Sequence, residues 1–368
     1  MSASLRYPAR HGCFTEKRTL AEFPKNIRKI LAVRFGRLGD VILLLPSLHE
    51  LKSCFPGASL TFVTDHRHAP LAELCPFIDR VIPLNRLAMR DGQKAAALMA
   101  MWRLLCSLRD LHCDLAVDFH GFGESNLLTW LSRATHRVGL KKSNQTYYQF
   151  CFNTPPVIED KNLHVADMFR RVVHAIPGVT PRGSQLAKVL IVQDSVKERI
   201  RSIAVNSPLM TLFVGARAAD HLWPAARFAR LADLMVERFG ASVMVATGTG
   251  DFEAGLAQTV RATARNRDRI WSLGAIEISD LVGIIASSKL LVSNDTGPMH
   301  IGPAVGVPTL GLFSLSSPQH YRPVGPASEY LIGNPIEKIE LEEVFETAQR
   351  MLTYRSGPII SAIDVPAG

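Results

Sequence analysis

Along most of this 368-residue chain, short apolar runs alternate with segments of helical periodicity, and the whole alternation occurs twice. In the first half the strand-like runs are Ile30–Val33, Ser59–Val63, Arg80–Pro83 and Leu115–Asp118. Helical patterns over Val41–Cys54, Lys94–Leu108 and Asn126–Arg133 lie between and after them. In the second half the runs are Leu209–Val214, Ser242–Ala246, Ile270–Ser272, Leu290–Ser293 and Thr309–Phe313, with helical patterns over Ala225–Arg238, Phe252–Ala264 and Ile278–Ser287. A strand covered on both faces reads as a continuous apolar run, so this rhythm predicts parallel sheets with helices on both sides. The expected fold class is α/β, with two doubly wound Rossmann-like domains. The expected division is a basic extension over 1–27, a first domain over 28–190, a second over 191–335, and a helix and tail over 336–368. The join is expected within Pro177–Asn206. A hydrophobic content of 47% is enough to fill two cores and argues against disorder.

The formal charge of +9 points to an anionic partner, whether a nucleotide, a nucleic acid or an acidic membrane surface. The first thirty residues carry seven Lys/Arg against two Glu and lack the apolar core of a signal peptide. No apolar stretch reaches the roughly 18 residues needed to span a bilayer, so contact with a membrane is expected to be peripheral. Six cysteines, all in the first half and none in a CxxC pair, make a disulfide framework or a zinc site a poor expectation and fit a reducing cytoplasm.

In doubly wound sheets, ligands bind beyond the carboxyl ends of the strands, so the residues to weigh are those that follow strands. Four places qualify. In "ILAVRFGRLGD", Asp40 stands at the expected start of a helix. It is either an N-cap or a general base at a cleft edge. In "DLAVDFHGFGES", Asp118 suits a turn cap, and His120 is a candidate cleft residue or a surface group. In "LFVGARAADHLWP", Gly215 leaves the strand. Arg217 and His221 offer positive charge to a diphosphate, or else sit in a solvated loop beside a packed Trp223. In "LLVSNDTGPMHIG", Thr296 and Gly297 make a turn into a helix that Pro298 opens, and the N–H groups at such a start form an anion site. Asp295 would repel a phosphate but accepts well from sugar hydroxyls. His300 lies one turn further on, as a site residue or a surface histidine. His164 and Asp167, one helical turn apart, read equally well as a solvated face.

Taken together these stretches resemble the ADP-heptose:lipopolysaccharide heptosyltransferases, glycosyltransferase family 9. The likeness runs from about Ile27 to Pro326. It rests on "VR…GD" around Asp40, on "FPGASLTFVT" and "CPFIDRVIPL", on "DLAVDFHG" set against the family's "DLVIDLQG", and on "DTGPMH" as its D-T-G-x-x-H donor motif. The resemblance implies a GT-B architecture with a central interdomain cleft and a last helix that packs back on the first domain. It implies inverting transfer of a sugar, heptose from ADP-heptose, to a lipopolysaccharide-core or related glycolipid. Asp40 would be the base, with Gly39, His120 and Glu124 on the acceptor side. Gly215, Arg217, His221, Asp295, Thr296, Gly297 and His300 would hold the donor. The expected cofactor set is empty apart from the nucleotide-sugar co-substrate; no metal is expected, because no DxD-like pair is evident. Placement at the inner membrane face is expected. Three departures stand out: His221 occupies a place where the family often has lysine, Glu124 one where it often has Lys-Ser, and the basic N-terminal segment extends beyond the family's usual start. The competing readings are a nucleotide-sugar epimerase or hydrolase on the same architecture and a degenerate, non-catalytic sugar-nucleotide binder. Nucleic-acid binding is disfavoured, because no stripe of Arg/Lys interleaved with aromatics is present.

Overall fold

The computed structural model describes residues 26–85, 94–180, 189–192, 194–203, 207–216, 218–248, 251–274, 276–314, 318–325 and 327–353. Arg217, most of the expected basic extension and the tail beyond 353 lie outside the described residues. Among those described, the strands of the first half are β1 Lys29–Val33, β2 Ser59–Asp65, β3 Arg80–Leu84, β4 Leu115–Asp118, β5 His136–Lys141 and β6 Val157–Ile158. Its helices are α1 Leu38–Cys54, α2 Ala69–Ala72, α3 Lys94–Asp110, α4 Gly123–Leu131 and α5 Val165–His174. The second half begins with helix α6 Asp194–Ile203. Its strands are β7 Leu209–Phe213, β8 Ser242–Ala246, β9 Ile270–Ser272, β10 Leu290–Asn294, β11 Thr309–Phe313 and β12 Ser328–Ile332. Its later helices are α7 Ala225–Phe239, α8 Asp251–Thr263, α9 Ile278–Ser287, α10 Ile301–Val305, α11 Pro318–Tyr321 and α12 Leu341–Thr353.

Each half is one six-stranded sheet, ordered β3-β2-β1-β4-β5-β6 and β12-β11-β10-β7-β8-β9, and the pairings are parallel. Both orders reverse direction once, between β1 and β4 in the first sheet and between β7 and β10 in the second. That reversal opens the crevice where doubly wound sheets take their ligands. The four strand exits singled out in the sequence are therefore the four walls of the two switch points. The strands missing from the sequence reading are β5, β6 and β12. β12 is only half-buried, and β6 has two residues, so neither carries the continuous apolar run that marks a central strand.

Helix α1 explains the greasy stretch after Asp40. Val41, Ile42, Leu43, Leu44, Leu45, Leu48 and Leu51 are all buried, and apolar residues occur all around the helix. A helix of that kind has no water-facing side. It lies between the first sheet, α5 and the second half, in a hydrophobic cluster that also takes in Val196 of α6, Ile284 and Ile285 of α9, and Ile301 and Ala304 of α10. The join itself bridges both halves: Val189 N–H donates to Ala304 O at 3.0 Å and Ile191 N–H to Leu74 O at 2.9 Å.

The last helix departs from expectation. Val344, Ala348 and Met351 of α12 are buried in the core of the second half with Trp223 and Phe228, and the helix packs on α7 and β10 rather than back on the first domain. Trp223 fixes the approach to it by donating its indole N–H to Ile339 O at 2.9 Å.

Candidate active site

Asp40 is not an N-cap. Helix α1 starts two residues earlier, with Arg37 in the cap position and no side chain bonded to the helix N–H groups. Asp40 lies in the first turn, and its Oδ2 pairs with Arg34 Nη2 at 2.8 Å. Arg34, one residue past β1, is almost wholly buried. Its Nη1 donates to Phe119 O at 3.0 Å, and its guanidinium lies over the Phe169 ring, 5.0 Å from the centroid. A buried planar cation held in this way fixes the carboxylate it pairs with. Oδ1 of Asp40 makes no hydrogen bond with the described residues. Gly36, with φ +128°, turns the chain between the two, and its carbonyl meets His68 Nε2 at 2.9 Å.

The second wall of this crevice is the exit of β4. Asp118 is fully buried and accepts four hydrogen bonds: His120 N–H at 2.8 Å, Gly121 N–H at 3.0 Å, Ser125 Oγ–H at 2.9 Å and the Asn126 amide at 2.7 Å. Burial pushes its carboxyl up, and the four donors oppose that push. Asp118 is thus the turn cap, and its work is to set His120. That ring stacks on Phe122, with centroids 4.3 Å apart, and meets Phe35 edge-on. It comes within 3.9 Å of where a Cβ on Gly36 would stand, so it belongs to the Asp40 wall. Glu124 is exposed in the first turn of α4.

At the switch point of the second sheet, Asn294 ties β10 to the loop after β7. Its amide donates to Val214 O at 2.9 Å and its Oδ1 accepts Trp223 N–H at 3.2 Å. Asp295 follows, and His221 Nδ1 lies 3.5 Å from Asp295 Oδ2. The structure therefore joins His221 to the carboxylate at the β10 exit. Gly215 leaves β7 beside Gly248 of the β8 exit. The carboxylate of Glu253, from the first turn of α8, occupies the space a Cβ on either glycine would need. Thr296 takes the cap position of the 3₁₀ turn 297–300, again with no side-chain cap.

The two halves of the site touch through main chain. A Cβ on Gly297 would stand 2.8 Å from Gly39 N, and one on Gly39 would stand 3.2 Å from Gly297 Cα and 3.1 Å from His300 Cδ2. Two uncapped turn starts, one from each sheet, thus meet next to Asp40. His300 is buried in this junction, and its Nδ1 has no partner among the described residues. Burial pushes its pKa down to about 3, His164 adds to the depression and Asp40 opposes it.

The sequence model of glycosyltransferase family 9 (heptosyltransferase) matches this chain over residues 101–347. The chain belongs to this family. As a family 9 glycosyltransferase it is 25% identical over 302 residues to lipopolysaccharide heptosyltransferase 1 of Pseudomonas aeruginosa, covering 79% of each chain. Among solved structures it resembles Escherichia coli ADP-heptose lps heptosyltransferase II, with a TM-score of 0.73 at 19% identity, covering 89% of this chain and 100% of that one. It also resembles E. coli heptosyltransferase WaaC with ADP, with a TM-score of 0.75 at 18% identity, covering 88% and 99%. The two sheets and these neighbours establish the GT-B fold. The family favours transfer over the epimerase or hydrolase alternative.

Four residues of this glycosyltransferase's site went unread in the sequence. Arg34 stands inside the quoted "VR…GD" stretch and follows a strand, so the strand-exit rule reaches it. Glu253 follows β8, an exit left out of the four. Lys142 follows β5, a strand absent from the sequence reading; its ammonium lies over the Phe122 ring, 4.9 Å from the centroid. Burial lowers the Lys142 pKa, Arg34 lowers it further, and Asp40, Glu159 and Asp118 pull it back up. Tyr321 comes from the second half; its pKa is raised by burial and by the charge of Asp40.

Proposed function

We propose that this glycosyltransferase moves heptose from ADP-heptose to a lipopolysaccharide-core or related glycolipid acceptor, with inversion. The observation that supports the reading is the Gly39–Gly297 contact, which sets the main chain next to Asp40 against the turn 297–300. The names of the relatives supply the sugar and the nucleotide. In this mechanism the acceptor hydroxyl gives its proton to Asp40 Oδ1 as its oxygen bonds to the anomeric carbon. The bond from that carbon to the diphosphate oxygen breaks on the opposite face. The diphosphate leaves onto N–H groups at Thr296–Gly297 and at the start of α1, where no side chain competes for them. Asp295 and Glu253 are carboxylates suited to accept from sugar hydroxyls. Lys142 and Arg34 give the acceptor side a positive character that Glu124 alone would not, which suits an anionic core sugar. The reading calls on no metal, and transfer is expected to persist in EDTA. It puts the enzyme in the cytoplasm, working at the inner membrane face. The experiment is a thermal-shift panel. ADP and ADP-sugars should raise the melting temperature more than uridine and guanosine counterparts, because a ligand of the folded state stabilises it by mass action. Equal response to all nucleotides, or to none, would overturn the donor assignment and favour a degenerate binder.

A further inference from the structure

Helices α3 and α4 lie side by side on the first sheet, over the core formed by Leu31, Val33, Leu104, Leu108 and Leu128. Their outward faces are unusual. Trp102 on α3 is 62% exposed and Trp130 on α4 is 44% exposed; Phe150, in the 3₁₀ turn 149–151, is 59% exposed. Met99, Leu127 and Tyr148 are exposed on or beside the same elements. Six of the eleven large exposed apolar residues among those described thus belong to this one layer. The rings are grouped: Trp130 meets Phe150 edge-on at 5.7 Å, and Phe150 lies 5.7 Å from Tyr148. Scattered apolar side chains need no explanation, but a grouped set calls for a partner.

Two observations say which partner. The two helices carry exposed Arg103 and Arg109 against Asp110 and Glu124, and the turn after α4 and the end of β5 add exposed Arg133 and Lys141, so the surroundings of the cluster carry a positive excess. Tryptophan and tyrosine among arginine and lysine suit the headgroup level of an anionic bilayer, where a ring has one apolar and one wet side. The second observation is continuity with the site. Tyr148 lies 3.0 Å from where a Cβ on Gly123 would stand. Phe122, the preceding residue, stacks on His120, which belongs to the Asp40 wall. The exposed cluster is therefore joined, across the Phe122–Gly123 main chain, to the His120 ring of the Asp40 wall. We propose that the outer face of α3, α4 and the 149–151 turn docks on an anionic lipid bilayer, so that a head group can reach Asp40 while its acyl chains stay in the membrane. The glycolipid acceptor rests on the function proposed above; the docking surface is tested without it.

The test uses the full chain with sedimented vesicles of phosphatidylethanolamine and phosphatidylglycerol, and with phosphatidylcholine vesicles as the neutral control. Wild-type protein is expected to partition onto the anionic vesicles with a blue shift in tryptophan emission. Trp130→Ser/Phe150→Ser is expected to lower the partition coefficient about tenfold or more, by removing two apolar anchors. Trp102→Ser, on a different helix, should lower it as well and covers the case of a double variant that does not fold. Both should turn over an acyl-free core-sugar acceptor at the wild-type rate and lose turnover on a vesicle-embedded one. Wild-type protein that stays in solution, or variants that partition as wild type does, would overturn the docking surface. So would variants that turn a wild-type dimer into a monomer with vesicle binding unchanged, since the face would then meet a second copy. If no protein turns over the acyl-free acceptor while vesicle binding still depends on the aromatic cluster, the transfer reading fails and the surface stands.

Discussion

The Arg34–Asp40 pair bears on how Asp40 is to be tested. Asp40→Asn keeps the size and still accepts from Arg34, but cannot take a proton. Transfer is expected to fall by roughly 10²–10⁴-fold with ADP affinity held within a few-fold, measured by steady-state kinetics and calorimetry. The weakened bond to a buried guanidinium should also cost about 1–2 kcal/mol of stability, so the comparison belongs at a temperature where both proteins are folded. A variant that turns over at more than about a tenth of the wild-type rate would remove Asp40 as the base. Lys142 tests a different step. Lys142→Met keeps the stem over Phe122 and deletes the charge, so KM for an anionic acceptor should rise about tenfold with ADP affinity unchanged, the size of one charge-assisted contact. An unchanged KM would mean that the ammonium does not face the acceptor. Asp40 was legible from the sequence because it follows a strand inside a recognisable motif. Lys142 was not, because its value lies in standing over Phe122, twenty residues away, and no local pattern encodes that approach.

The elements that position these groups were mostly readable where burial is complete. Central strands such as β4 and β8 matched their expected bounds, since a strand covered on both faces has little choice of residue. Of the four edge strands, β3 and β9 were legible, whereas β6 and β12 were not, being short or half-exposed, and the helix after β12 proved to belong to the second core. That docking depends on Val344, Ala348 and Met351 fitting a groove, which periodicity alone does not specify. The turn starts at Gly39 and Gly297 make the sharpest element-level prediction. Gly297→Ala puts a methyl carbon against a backbone nitrogen that cannot rotate away. The two halves must shift, at an expected cost of about 1–3 kcal/mol in chemical denaturation. Turnover should fall much further than ADP affinity, because Asp40 moves relative to the donor loop. A variant as active as wild type would show that the contact does not set the catalytic distance.

At the scale of the whole molecule, the junction between the halves is lined with histidines. His164 caps α5 through Nδ1, which accepts Ala166 N–H at 3.2 Å, so its Nε2 carries the hydrogen donated to Arg322 O at 3.1 Å. His320 and Gln319 of α11 add bonds to Leu163 O and Asn162 O. Burial depresses the pKa of His164 and takes His300 to about 3. A histidine whose folded pKa lies below its unfolded value of about 6.5 stabilises fully above that value and loses its contribution as pH falls towards the folded one. By pH 5 His300 alone should cost about 2 kcal/mol. Melting temperatures at pH 7.5 and 5 are expected to differ more for wild type than for His300→Gln; equal falls would assign the titration elsewhere. The glycine contact has a last consequence, for sequence drift. Two main chains meeting without side chains between them fix a length that no exchange of side chains elsewhere can retune. Replacements over the surface and in either core of this chain thus leave unchanged the spacing between the start of α1 and the turn after β10.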